Sequence, residues 1–144
     1  MGRLEERAEA LARRVHAGQV DKAGVDYVTA HVADVVGRLP GDDELGRTVA
    51  WLHDTVEDGP PGTREEVAAA FPPEVLAAVL AITHDPAEPR ADYYRRVAAD
   101  PVAARVKRAD IGSNTDPARM ALLDPATRER LTEKYRTALH ALGS

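Results

Sequence analysis

Five histidines and 24 Asp and Glu residues, in a chain of 144 residues with no cysteine, set the chemistry open to this protein. Without cysteine there are no disulfides, thiolate zinc sites or thiol nucleophiles. Any metal must be held by His, Asp or Glu. The densest run is Trp51-Leu52-His53-Asp54-Thr55-Val56-Glu57-Asp58. On a helix, His53 lies above Glu57 and Asp54 above both Glu57 and Asp58, so the spacing predicts one face bearing an imidazole and three carboxylates. Beside Val49, Leu52 and Val56 such a face costs stability unless something compensates it. A divalent cation would turn carboxylate repulsion into coordination. Two more candidates lie far off in sequence. His31 falls on the apolar side of a preceding helix, near Tyr27, Val28 and Val35, and Asp110 sits between Val106 and Asn114. His31, His53, Asp54 and Asp110 together form a mixed nitrogen and oxygen set drawn from three helices. That set suits Mn²⁺, Fe²⁺ or Zn²⁺ better than Ca²⁺ or Mg²⁺. Four protein ligands on a six-coordinate ion leave room for water and a phosphoryl oxygen, which points to metal-assisted hydrolysis.

The elements that must position these groups all read as helices. Leu4, Ala8, Leu11, Ala12 and Val15 recur at helical spacing between Arg3 and Ala17. A second helix is expected from Asp26 to Leu39, ended by Pro40-Gly41, and a third from Asp42 continuously to about Asp58. Gly59-Pro60-Pro61-Gly62 breaks the chain. Thr63 with Glu66 predicts a capping box for a short helix to Phe71. Helices follow over Glu74 to Thr83, Ala91 to Ala99, Pro101 to Asn114, and from Asp124-Pro125 to near Leu142. No stretch alternates long enough to be a strand. The expected architecture is all-α, one compact multi-helix bundle over residues 1–144.

Composition narrows the partners. Lys and Arg number 19 against those 24 acids, for a net charge of −5, which disfavours general nucleic-acid binding. No apolar run nears the ~20 residues of a membrane span. The charged start, MGRLEERAEALARRV, lacks the apolar core of a signal peptide. The expectation is a cytoplasmic protein with a small-molecule substrate, no nucleic-acid or membrane partner, and an oligomeric state that the sequence leaves open.

His31, the His53-Asp54 pair and the distant Asp110 resemble the pattern of the HD-domain metal-dependent phosphohydrolases. HAGQVDKAGVDYVTAH, LHDTVED and VKRADIGSN are similar to the hydrolase domain of the RelA/SpoT family and its small alarmone hydrolases, from about His16 to Asn114. The resemblance implies an HD-domain bundle, a Mn²⁺ ion on His31, His53, Asp54 and Asp110, and cleavage of the 3′-pyrophosphate of (p)ppGpp in the stringent response. It implies that Glu57 and Asp58 orient and activate the attacking water. It implies that Lys22, Asn114, Arg95 and Arg96 contact the nucleotide and its phosphates. The chain departs from the family at Asp21, where an Arg is common, at Val32 in place of Pro, and at Thr115-Asp116-Pro117 in place of a basic residue. These departures touch the base-reading parts and open two alternatives. One is another phosphorylated substrate, such as a different nucleotide, NADPH or a phosphate ester of specialised metabolism. The other is a catalytically silent module that binds a nucleotide.

Overall fold

The computed structural model describes residues 3–21 and 24–143. Lys22, expected at the substrate, lies outside them. The described chain is helical, with a single isolated bridge, Val20 to Asp26, closing the loop after the first helix.

The first helix, α1 (Arg3–Val15), buries Ala8, Leu11 and Ala12 and packs chiefly on α3 (Glu44–Leu52). Small side chains at this contact let the axes approach. One buried charge crosses it. Glu5 is 2% exposed and takes Arg47 through two hydrogen bonds, at 3.0 and 3.2 Å, with Trp51 Nε1 donating at 3.3 Å. Burial works against that carboxylate, but these donors hold its pKa below the usual range.

The second predicted helix begins differently from expectation. Val28–Val32 forms a π-helical turn, with Ala33 N–H reaching Val28 O, before α2 (Ala33–Gly37) resumes ordinary winding. The wider turn leaves Val28, His31 and Val32 all buried.

The third predicted helix is not continuous. It ends at Leu52, turns at His53 and Asp54, and restarts as α4 (Thr55–Asp58). The cause is local competition for carbonyls. His53 Nδ1 donates to Ala50 O at 2.6 Å, and the Thr55 hydroxyl donates to Leu52 O at 2.8 Å. The single acidic face expected over His53 to Asp58 is thereby broken into a corner.

Next come α5 (Thr63–Ala70), α6 (Pro73–Ile82), α7 (Arg90–Ala98), α8 (Pro101–Asn114), α9 (Pro117–Met120) and α10 (Pro125–Ala141). The capping box expected at Thr63 does not form. Gly62 occupies the cap at φ 97°, and the Thr63 hydroxyl donates to Pro60 O instead. The α9 turn was not expected. Its Arg119 reaches the carbonyl of Ala30 in the π-helical turn. Helix α8 is central, packing on α2, α3, α6 and α7, and it buries Asp110 and Ser113 among Ala103, Val106, Ala109 and Ile111. One contiguous core runs from Ala8 to Leu142.

Asp43 ties α3 to α8. It caps α3 through Gly46 N at 3.0 Å and takes Arg105 at 2.7 and 2.9 Å. A Cβ at position 46 would lie 2.2 Å from Asp43 Oδ2, so the cap requires glycine there. The Arg105 hydrogen bonds, against a smaller cost of burial and with help from Gly46, lower the Asp43 pKa. A depressed carboxylate stabilises the fold above its unfolded pKa, and that contribution disappears as pH falls through the folded value. Asp43→Ala should therefore cost about 1–2 kcal/mol at pH 7. The gap to wild type should close in denaturation curves taken well below pH 4, whereas an undiminished gap in acid would refute the linkage.

Candidate metal centre and cavity

The break between α3 and α4 puts His53 and Asp54 at a corner facing the π-helical turn and the middle of α8. His31, His53 and Asp54 each offer one ligand atom, all within 4.8 Å of one another. Asp110, from α8, lies against the same two imidazoles. Its Oδ1 lies 2.9 Å from His31 Nε2 and 3.4 Å from His53 Nε2, while Asp54 Oδ2 lies 3.9 and 3.1 Å from the same two nitrogens. Ligands on an ion at about 2.1 Å, spread at 90–110°, are about 3.0–3.5 Å apart. The separations fit that spacing, with His31 to Asp54 the loosest.

Both imidazoles are held from behind. His53 Nδ1 is engaged by the Ala50 carbonyl and His31 Nδ1 by Ser113 Oγ at 3.1 Å, which turns both Nε2 atoms inward. The rings meet edge to face with centroids 5.5 Å apart. His53 Nε2 is buried, within ion-pair distance of two carboxylates, and makes a hydrogen bond with neither. A buried nitrogen left in this state among carboxylates is what a cation would satisfy. The donor set fits a divalent metal ion.

The electrostatics agree. Burial opposes ionisation of Asp54, but the His53 charge keeps its pKa down at about 2. Asp110 is held well below the carboxylate range, against burial, by His31 and His53, with Lys107 adding its charge. His53 is raised well above the ordinary imidazole value, again against burial, by the Asp54 charge.

Three further groups brace the carboxylates. Tyr27 donates to Asp54 Oδ2 at 2.6 Å, Lys107 Nζ lies 3.0 Å from Asp110 Oδ2, and Asn114 donates to Asp110 Oδ1 at 3.4 Å. Tyr27→Phe removes the hydroxyl that donates to Asp54 and should weaken Mn²⁺ binding about 10-fold while leaving the fold intact. Unaltered affinity in a metal titration would show that this bond does not orient Asp54.

A cavity of about 170 Å³ opens beside the cluster. His53, Asp54, Glu57 and Asp110 line it, together with the cationic Arg90, Lys107 and Lys134 and with His84, Tyr93, Tyr94 and Tyr135. Burial pushes the Tyr93 hydroxyl up to about 12, and Lys107, though burial opposes it, is raised by the Asp110 charge. Both stay protonated at neutral pH: the Tyr93 hydroxyl donates to the Ile82 carbonyl, and Lys107 donates to Asp110.

Of the expected catalytic pair, Glu57 lines the cavity and accepts the His84 N–H at 2.9 Å. Asp58 lies one residue on, exposed and outside the cavity lining, with its pKa raised by burial and by the charges of Asp54 and Glu57. The expected substrate contacts fare differently. Asn114 braces Asp110 and does not line the cavity. Arg95 is exposed and pairs with Asp92 at 3.2 Å. Arg96 donates to the carbonyls of Leu80, Ala81 and Thr83 and pairs with Glu88, closing the end of α6. Neither arginine lines the cavity. Its cations are Arg90, Lys107 and Lys134, which sequence spacing did not single out.

No protein-family model and no curated protein matches the chain. A solved structure does, that of a metazoan ortholog of SpoT which hydrolyzes ppGpp and plays a role in starvation responses. The TM-score is 0.79, with 21% sequence identity over 99% of this chain and 86% of that one. This chain has that hydrolase's fold. The all-helical expectation, and the fold drawn from the HD-domain resemblance, hold across the SpoT-type bundle. Among the described residues no helix is long and apolar enough to cross a membrane.

Proposed function

We propose that the chain is a metal-dependent phosphohydrolase acting on a phosphorylated nucleotide, with a (p)ppGpp-like 3′-pyrophosphate as the substrate. The observation that carries this reading is the grouping of His31, His53 and Asp54, with Asp110 against both imidazoles, beside a cavity whose lining also holds Arg90, Lys107 and Lys134. Acidic groups alone would repel a phosphate; Arg90, Lys107 and Lys134 in the same lining supply the positive charge that an anionic substrate needs.

A divalent cation held by His31, His53, Asp54 and Asp110 would supply Lewis acidity to the phosphoryl oxygen and to the attacking water. The protein supplies the rest. Water oxygen bonds to phosphorus and the bond from phosphorus to the ribose 3′ oxygen breaks, releasing pyrophosphate and, once that oxygen takes a proton from solvent, the ribose 3′-hydroxyl. The proton from water passes to the Glu57–Asp58 pair, of which Glu57 lines the cavity. Arg90, Lys107 and Lys134 neutralise the remaining phosphates, and Tyr94 or Tyr135 offers a face to a planar ring. Lys22 and Asn114 remain proposed contacts of the nucleotide. The fold shared with a ppGpp hydrolase supports the substrate class.

A second reading follows from the size of the cavity. About 170 Å³ is small beside the roughly 300–1,000 Å³ of pockets that enclose whole drug-sized ligands. A smaller phosphate ester would fill it completely. The deciding experiment incubates purified protein with Mn²⁺ and a panel of ppGpp, NADPH, nucleoside monophosphates and sugar phosphates, and reads phosphate and pyrophosphate. Pyrophosphate from ppGpp, lost in Glu57→Gln, is the expected result. Preferential cleavage of monophosphates would favour the smaller ester, and no turnover of any member would overturn the enzyme reading.

A further inference from the structure

Three successive main-chain groups at the end of α6 are held by other elements. The Tyr93 hydroxyl donates to Ile82 O at 2.5 Å, Arg96 donates to Thr83 O at 3.1 Å, and the His84 N–H donates to Glu57 Oε1 at 2.9 Å. The backbone is therefore fixed where His84 leaves the helix, while the His84 side chain makes no hydrogen bond among the described residues. Its half-buried imidazole meets the Tyr93 ring edge to face, with centroids 4.9 Å apart, and the residue lines the cavity. His84 thus reaches from Glu57, through its N–H, to Tyr93, through its ring.

The proposed hydrolysis needs a group in this position. A ribose 3′ alkoxide is a strong base and leaves slowly unless it is protonated as its bond to phosphorus breaks. The delivering group must hold a proton near neutral pH, give it up and regain it, and imidazole is the side chain suited to that exchange. Arginine does not release its proton in proteins, and lysine and tyrosine ordinarily do so only near about pH 10. His53 is turned to the carboxylates of Asp54 and Asp110, which leaves His84 as the other imidazole of the lining. We propose that His84 is the general acid of the reaction, handing a proton to the ribose 3′ oxygen as the bond from phosphorus breaks and recovering one from solvent. The proton of the attacking water goes to the Glu57–Asp58 pair, so the products are pyrophosphate and a ribose 3′-hydroxyl, and His84 ends in the state in which it began. One hydrogen bond, from His84 N–H to Glu57, then ties the proton donor to the pair that accepts the proton of water. The assignment rests on the hydrolase reading above and adds to it a residue outside the ligand set.

The test compares ppGpp with an analogue carrying sulfur in place of the bridging 3′ oxygen, whose thiolate leaves without a proton. Wild type and His84→Gln are assayed on both with Mn²⁺, and circular dichroism and Mn²⁺ titration verify that each protein is folded and loaded. His84→Gln should lower kcat on ppGpp about 100-fold, the lower end for general-acid catalysis, with KM and Mn²⁺ affinity close to wild type. On the sulfur analogue the two proteins should turn over at nearly equal rates. Equal losses on both substrates, an unchanged kcat on ppGpp, or a loss confined to KM would overturn the assignment and leave the hydrolase reading standing. If His84→Gln does not fold, His84→Asn is read by the same criteria. A folded wild type that binds Mn²⁺ and cleaves neither substrate would overturn the ppGpp hydrolase reading, and this role with it.

Discussion

Asp110→Asn is expected to lower nucleotide hydrolysis by more than about 100-fold and to destabilise the fold at the same time. The first effect follows from position. Asp110 Oδ1 touches both imidazole Nε2 atoms, so its loss removes a ligand rather than a support, and loss of a support alone typically costs about 10–100-fold. The second follows from Lys107. Its ammonium is largely buried 3.0 Å from Asp110 Oδ2, and removing one partner of a buried pair strands the other charge. That costs about 3 kcal/mol, the lower end for buried pairs, because Lys107 keeps some access to water. Adding Lys107→Met should recover most of the stability in urea denaturation and none of the turnover. A double variant that regained activity along with stability would mean that Asp110 serves the fold and not the ion.

Saturating Mn²⁺ is expected to raise the melting temperature by about 8 °C, and a chelator to reverse it. At 100 times its dissociation constant, an ion that binds only the folded chain adds about 2.7 kcal/mol. For a domain of this size each kcal/mol is worth about 3 °C. The effect should be large here because four ionisable groups are already gathered at short range, so little ordering remains to oppose binding. Mg²⁺ and Ca²⁺ should give much smaller shifts, since two of the four donors are imidazoles. Equal shifts with Ca²⁺ would point to a carboxylate site elsewhere on the surface.

Much of the cluster was legible in the sequence because its residue types are conspicuous against helical apolar periodicity. His31 and Asp110 could be placed on buried faces by their Val neighbours four residues away. What was not legible depends on the third dimension. The corner at His53 and Asp54 arises from side chains competing for the carbonyls of Ala50 and Leu52, a choice that spacing alone does not reveal. Arg95 and Arg96 looked like a phosphate-binding pair. Arg96 instead terminates α6, where open carbonyls attract a guanidinium. Arg90, Lys134 and His84 reach the cavity from three separate elements and have no local signature. Tyr27, Lys107 and Ser113 were missed as braces, although Lys107 and Ser113 each lie three residues from Asp110, the spacing that puts side chains on one helix face.

The most direct test counts bound metal. Protein purified without chelator and titrated with Mn²⁺, with free ion followed by electron paramagnetic resonance, should bind one ion per chain, and His53→Ala should bind none at the same concentrations while keeping its helical circular dichroism. Retention of one tightly held ion by folded His53→Ala, or none by the wild type, would contradict the proposed centre.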